Sequence, residues 1–265
     1  MKLQASAFLL SLSLLILLPA CSTVPYTGRS QLLMTSIADE NSLGEQAWGE
    51  VLRKEKISKN KKFTNAVTRV GKNIAAVANR SDFNWEFKTF DSAQANAFCL
   101  PGGKVAVYTG IFQYAKNDAE LATVMGHEIG HAIARHGGER MSQGVLQKLG
   151  ATALNMATKE KYREAAMIAY GVGSNIAVML PYSRTQEYEA DHIGIILMAK
   201  AGYDPKYAVK FWEKFSKASD TNSYTEYLST HPMGEHRIEE LKKLLPKAEQ
   251  LYNKSKIKHG KGKTY

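Results

Sequence analysis

The chain has 265 residues, enough for one domain with a sizeable core, and only two cysteines, which excludes a disulfide-built scaffold. Lys and Arg outnumber Asp and Glu by 35 to 25, giving a net charge of +10 at pH 7. Much of that excess lies after Leu251, and no nucleic-acid-binding module accompanies it, so nucleic acid is not an expected partner.

Residues 1–20 read as a secretion signal. Lys2 supplies a positive start, and the apolar run from Ala7 to Leu18 is too short for a comfortable membrane span. Leu18-Pro19-Ala20-Cys21 resembles a bacterial lipobox, which makes Cys21 the lipidation site and the new N-terminus; Ser22 after it favours the outer membrane. Removing the signal leaves roughly 245 residues. Residues 21–37 are then a lipid-anchored tether, polar and carrying Pro and Gly. With Cys21 lipidated, Cys99 has no partner in the chain, and its neighbours Phe98 and Leu100 predict a buried free thiol. Apolar spacing of three and four predicts helices at 38–56 (Leu43, Ala47, Val51, Leu52) and 62–79 (Val67, Val70, Ile74, Val77). Alternation predicts a strand at 84–91, with Trp85, Phe87 and Thr89 on one side. Ala93–Leu100 and Lys104–Tyr108 flank Pro101-Gly102-Gly103 as a hairpin.

An amphipathic helical run follows, with Asn117 as N-cap, Glu120 as capping-box partner and Gly137-Gly138 as its stop. It contains His127-Glu128-Ile129-Gly130-His131, an HExxH pattern. Residues i and i+4 share a helix face, so His127 and His131 can point at one ion, while Glu128, about 100° round, reaches a water beside it. Two neutral imidazoles suit Zn²⁺ and leave room for a third ligand and a water. Gly126 and Gly130, each costing up to ~1 kcal/mol in a helix, imply close packing against another element. Ala134 and Gly137 stand where the metzincin pattern needs Gly and His, which excludes that class. His136, nine residues after His127, falls half a turn from the metal face and reads as a helix C-terminal residue, not a ligand.

Residues 139–180 are rich in Ala, Met and Gly and predict two helices joined near Thr158–Lys161. The apolar run from Ala165 to Leu180 contains Ser174 and Asn175 and reads as a buried or cleft-covering helix ended by Pro181. Next comes Ser183-Arg184-Thr185-Gln186-Glu187-Tyr188-Glu189-Ala190-Asp191. Glu187 and Asp191 share a helix face and Glu189 points away. Glu187 therefore serves as third metal ligand and Asp191 as acceptor of a hydrogen bond from a ligating His. Asp204-Pro205 caps a helix to about Ala218, with Trp212 and Phe215 inward. A last helix begins near Gly234, carries Ile238, Leu241 and Leu245, and is limited or kinked by Pro246. Residues 251–265, with Lys254, Lys256, Lys258, Lys261 and Lys263, read as a flexible basic tail, either solvated or touching anionic lipid.

HExxH followed some 60 residues later by Ser-Arg-x-x-Glu-x-Glu-Ala-Asp resembles the HtpX and CAAX-prenyl-protease family of zinc metallopeptidases. Within it, the similarity is to the soluble periplasmic lipoprotein members of the LoiP and BepA kind. Pro25-Tyr26-Thr27-Gly28-Arg29, Asn96-Ala97-Phe98, Pro101-Gly102-Gly103 and Thr230-His231-Pro232 with Arg237 match landmarks of that family, over roughly residues 24 to 245. The resemblance implies an α+β, mainly helical, zincin-type (gluzincin) domain at 38–250 with a small β-sheet beside the HExxH helix. It also implies one zinc ion per chain and polypeptide substrates, namely misfolded or misassembled envelope proteins. In the resembled fold the sheet's edge strand lies beside the cleft, so Asn96, Ala97 and Phe98 are the candidate substrate-binding strand. The expected activity is that of a zinc metalloendopeptidase of the bacterial periplasm, with His127, His131 and Glu187 on the metal and Glu128 as general base. A non-catalytic, chaperone-like lipoprotein with a structural zinc is the alternative; Glu128 argues against it, since a structural site needs no base there. A zinc hydrolase of a non-peptide envelope substrate is a third reading. His231 stands either as an oxyanion hydrogen-bond donor or as a fourth zinc ligand, its loop stiffened by Pro232, and Arg237 supports that loop or holds substrate.

Overall fold

The computed structural model describes residues 21–160, 162, 184–219, 227, 230–231 and 236–265. The helix expected over Ala165–Leu180, its stop at Pro181 and the helix start near Gly234 lie outside these residues. The chain divides into two compact units, one of residues 38–136 with 181–265, the other of residues up to 37 with 137–180. Among the described residues no helix is long and apolar enough to cross a membrane.

In the smaller unit, β1 (Cys21–Thr23) pairs antiparallel with β2 (Ser30–Leu32), Ser22 opposite Gln31. Val24 and Leu33 are buried there. Arg29 makes a two-pronged ion pair with Glu139, at 2.7 and 2.8 Å, and Met34 N–H donates to Ser142 Oγ at 2.8 Å. These contacts hold Arg29 and Met34 in the stretch expected as a tether against residues 139 and 142.

The larger unit is mainly helical. α1 (Ile37–Lys54) and α2 (Lys61–Ala75) precede a three-stranded sheet, and α2 is capped by the Asn60 side chain. On α1 the buried face is Glu40, Gly44 and Trp48; Leu43, expected inward, is exposed, because the ring of Trp48 sets which stripe packs on Phe90. On α2, Val67, Val70 and Ile74 are buried as the spacing predicts. The sheet has the order β3-β5-β4, with β3 (Glu86–Phe90) parallel to β5 (Lys104–Tyr108) and β4 (Ala97–Leu100) antiparallel to it. Pro101-Gly102-Gly103 is the β4–β5 hairpin turn, Gly102 and Gly103 taking φ of 80° and 83°. Cys99 on β4 is a free cysteine of intermediate exposure, and burial pushes its thiol pKa up.

α3 (Asp118–Ile133) is the HExxH helix, and all 16 of its residues are buried. It is therefore a central helix packed on every side, where the pattern suggested an amphipathic run with one polar face. β4 and β5 lie against it, as do α2, α5 (Arg184–Lys200) and α6 (Lys206–Ser219). α6 is capped by Asp204, which accepts from Lys206 N–H at 3.0 Å, and buries Phe211, Trp212 and Phe215. α7 (Arg237–Lys254) packs on α5 and α6. Pro246 lies inside it, and the helix continues beyond to Lys254.

The C-terminal residues are docked, not flexible. Lys263 and Lys261 carbonyls accept from Asp118 and Ala119 N–H, each at 3.0 Å, and Asn117 Oδ1 accepts from Glu120 N–H at 3.0 Å. The first N–H groups of a helix have no partner within it, so the tail and the cap together complete the start of α3. Glu120 does not close a capping box onto Asn117; its carboxylate takes Lys116 N–H at 2.6 Å. Tyr265 O–H donates to Asp118, which also receives Arg69 at 3.0 and 2.6 Å. The five tail lysines remain exposed.

Candidate metal centre

The centre is built where α3 meets α5. The two helices approach through small residues: a Cβ on Gly130 would lie 2.8 Å from the Ala190 carbonyl oxygen, and one on Gly194 would lie 2.8 Å from His127 N. A real side chain at either position would force the helices apart. This contact is the packing that the costly glycines implied, and it sets Glu187 and Asp191 against the histidine face.

His127, His131, Glu187 and His231 each offer one ligand atom, all within 4.8 Å of one another and all buried. His127 Nε2 lies 3.0 Å from His131 Nε2, 3.3 Å from His231 Nδ1 and 3.4 Å from Glu187 Oε2. Glu187 Oε1 lies 3.3 Å from His131 Nε2 and 3.2 Å from His231 Nδ1. Tetrahedral zinc with ligands at about 2.0–2.1 Å has ligand–ligand edges of about 3.3–3.4 Å, so the spacing fits such an ion. Three imidazoles and a carboxylate are donors that zinc accepts. Glu187 Oε2 makes no well-formed hydrogen bond, although Arg237 Nη1 lies 2.9 Å away, which leaves it a lone pair for a cation.

Each histidine of α3 is held from behind. His127 Nδ1 lies 2.8 Å from Asp191 Oδ1, and Arg237 donates to both Asp191 oxygens, Nε at 2.8 Å and Nη2 at 2.9 Å. Arg237 is 1% exposed and its guanidinium lies over the Trp212 ring at 4.4 Å. Its Nε and Nη2 face Asp191 and its Nη1 faces Glu187, so Arg237, expected to support the loop or hold substrate, neutralises the acids behind the histidines. His131 Nδ1 lies 2.8 Å from His136 Nδ1, and His136 Nε2 lies 3.1 Å from Glu189 Oε2. Here the sequence reading fails twice. α3 stops at Ile133, not at Gly137-Gly138, because Arg135 takes a left-handed φ of 59° and pairs with Glu40. α4 (His136–Ala157) starts at the next residue, turning His136 back onto His131 instead of leaving it at a helix C-terminus. Glu189, which was to point away, is buried as its partner. An Arg at the end of a helical run gives no signal for such a break.

Charge follows these contacts. Burial alone opposes a charged His127, but the hydrogen bond and charge of Asp191, with Glu187, outweigh it and raise its pKa to about 9. His131 is lowered well below its ordinary value, by burial first and by the neighbouring His127 and His136, against the opposing pull of Glu187. Burial would raise Glu187, yet hydrogen bonds from His127, His131 and His231 hold it well below the usual carboxylate range. Burial opposes the Asp191 anion too, and Arg237 with His127 outweighs it, so its pKa is lowered.

Glu128 sits beside the donor group, its Oε2 3.7 Å from His231 Nε2, and its Oε1 accepts from Tyr227 O–H at 2.6 Å. Tyr227, which sequence reasoning missed, is fully buried and stacks on His231 with centroids 4.6 Å apart. β4, with Ala97 buried and Phe98 half-buried, is an edge of the sheet that lies against α3, and half-buried Asn96 immediately precedes it.

The model of Peptidase family M48 matches residues 61–245. Mitochondrial metalloendopeptidase OMA1 of Arabidopsis thaliana is 36% identical over 205 residues, covering 76% of this chain and 39% of that protein. OMA1 of Schizosaccharomyces pombe is 32% identical over 234 residues, covering 85% and 67%. The beta-barrel assembly-enhancing protease of Escherichia coli K12 is 28% identical over 227 residues, covering 83% and 46%. This chain thus spans about two fifths to two thirds of the length of these relatives. With a match over most of its length, including the whole donor group, the chain belongs to Peptidase family M48.

Proposed function

We propose that this protein is a zinc metalloendopeptidase of the bacterial cell envelope, anchored through a lipidated Cys21 and acting on extended or misfolded envelope proteins. The observation that carries the activity is the convergence of His127, His131, Glu187 and His231 on one point, with Glu128 beside it. Held by His127, His131 and Glu187, a zinc ion would supply Lewis-acid polarisation of the scissile carbonyl and a water of pKa lowered towards ~7. Glu128 takes the proton of the attacking water and returns a proton to the leaving amine. Asp191 with Arg237, and His136 with Glu189, keep the two α3 imidazoles turned towards the ion. Asn96, Ala97 and Phe98, at the edge of the sheet, offer main-chain hydrogen bonds to an extended peptide. His231 supplies the fourth donor, which supports a resting state in which it stands where water must enter. His231→Ala then gives equal or higher basal proteolysis; an oxyanion donor would instead give lower turnover with zinc retained.

The test is casein cleavage by the purified protein, with and without chelator, beside Glu128→Gln. Zinc-dependent cleavage lost by ~10²–10⁴-fold in Glu128→Gln at unchanged zinc content supports the reading. A wild type that binds zinc and cleaves nothing favours the chaperone-like alternative. Localisation is tested separately, since the relatives' names include mitochondrial proteins: Cys21→Ser releases the protein from the membrane fraction or stalls its processing.

A further inference from the structure

Glu128 is an unbranched side chain with several rotatable bonds, and a general base works only within hydrogen-bond reach of the proton it takes. Something must choose its orientation.

Among the described residues, the side-chain hydrogen bond that Glu128 accepts at short range comes from Tyr227 O–H, at 2.6 Å to Oε1. A donor this close to a carboxylate makes a strong, charge-assisted bond. Tyr227 is itself well held. Its ring lies 4.6 Å from that of His231, 6.1 Å from Trp212 and 5.8 Å from Phe215. Its carbonyl accepts from His231 N–H at 2.8 Å and from Thr230 O–H at 3.1 Å. By contrast Glu128 Oε2 lies 3.7 Å from His231 Nε2, beyond a hydrogen bond, on the side of the donor group.

We propose that Tyr227 is a positioning residue for Glu128: its hydroxyl holds one carboxylate oxygen so that the other faces the group formed by His127, His131, Glu187 and His231. The proposal rests on the peptidase reading and deepens it. A Phe at this position would make the same stack without the donor, so the oxygen atom alone separates a positioning role from a packing role.

Two measurements test this. In casein cleavage, Tyr227→Phe lowers kcat about 10–100-fold, the cost of a misplaced group, with KM within about twofold and zinc content unchanged. In melting of the metal-free protein, Tyr227→Phe lowers Tm by several degrees in the wild-type background, where it strips a buried carboxylate of its donor. It costs nothing in a Glu128→Ala background. A kcat within twofold of wild type, a loss of zinc, or an equal fall in Tm in both backgrounds overturns the proposal. A wild type that fails to cleave casein overturns the peptidase reading instead, and the melting cycle then still decides whether the hydroxyl acts on Glu128.

Discussion

The two histidines of α3 are one helical turn apart, yet they are held in opposite ways. His127 rests on a carboxylate that is itself neutralised by a buried arginine; His131 rests on a second imidazole, with the carboxylate one step further off. The pKa of His127 is raised and that of His131 lowered. A direct carboxylate favours the proton as well as the ion, while an imidazole relay orients the ring without adding charge next to it. One motif thus contains a ligand that must lose a proton to bind metal and a ligand already neutral.

The largest way to break this asymmetry is at its arginine. Arg237→Met leaves Asp191 and Glu187 buried without their cation, and should destabilise the metal-free protein by about 3–5 kcal/mol in denaturant unfolding. An effect within experimental error would mean that the His127 side does not depend on that charge.

Asp191→Ala comes next. Zinc affinity should fall by roughly 10–100-fold in a competition titration, because the ring of His127 loses its orienting partner.

The pH dependence of zinc binding sharpens the same contrast. With a pKa of about 9, His127 is protonated at neutral pH in the metal-free protein, and the ion requires the neutral ring. Binding therefore releases a proton. Affinity should rise by up to about tenfold per pH unit from pH 6 to 9 and level off above. In Asp191→Ala the main support of the His127 cation is gone and only Glu187 opposes burial, so the levelling should move to lower pH. An unchanged profile would remove Asp191 as the source of the shift.

Smallest is the effect on the other side. His136→Phe keeps a ring in the buried space but removes the contact to His131 Nδ1, and zinc affinity should fall by less than about tenfold. A loss equal to that of Asp191→Ala would make the two supports equivalent.

Legibility in the sequence followed the range of the interactions. Spacing alone placed His127, His131, Glu187 and Asp191 on two helix faces that the structure brings together, and the glycines announced a close helix contact that proved to be α3 against α5. His136 was misplaced because a single left-handed residue, Arg135, reset the helical phase. Leu43 was misplaced because Trp48 controls which face of α1 packs. The lysines and glycines after Leu251 look like a solvated tail, since their composition does not show that their carbonyls meet the unpaired N–H groups at the start of α3.

What the sequence determined by itself was the chemistry available: two imidazoles and a base at HExxH spacing, an acid pair one turn apart, and a family pattern joining them. Local helical geometry is enough for that, because residues i and i+4 share a face wherever the helix lies. Only the tertiary structure decided how each group is held. Arg237 is turned inward by two buried acids, His136 is turned back by a helix break, and Tyr227 reaches Glu128 across 99 residues of chain. Such contacts depend on burial and on the approach of separate elements, and neither is encoded in the spacing of residues along one helix.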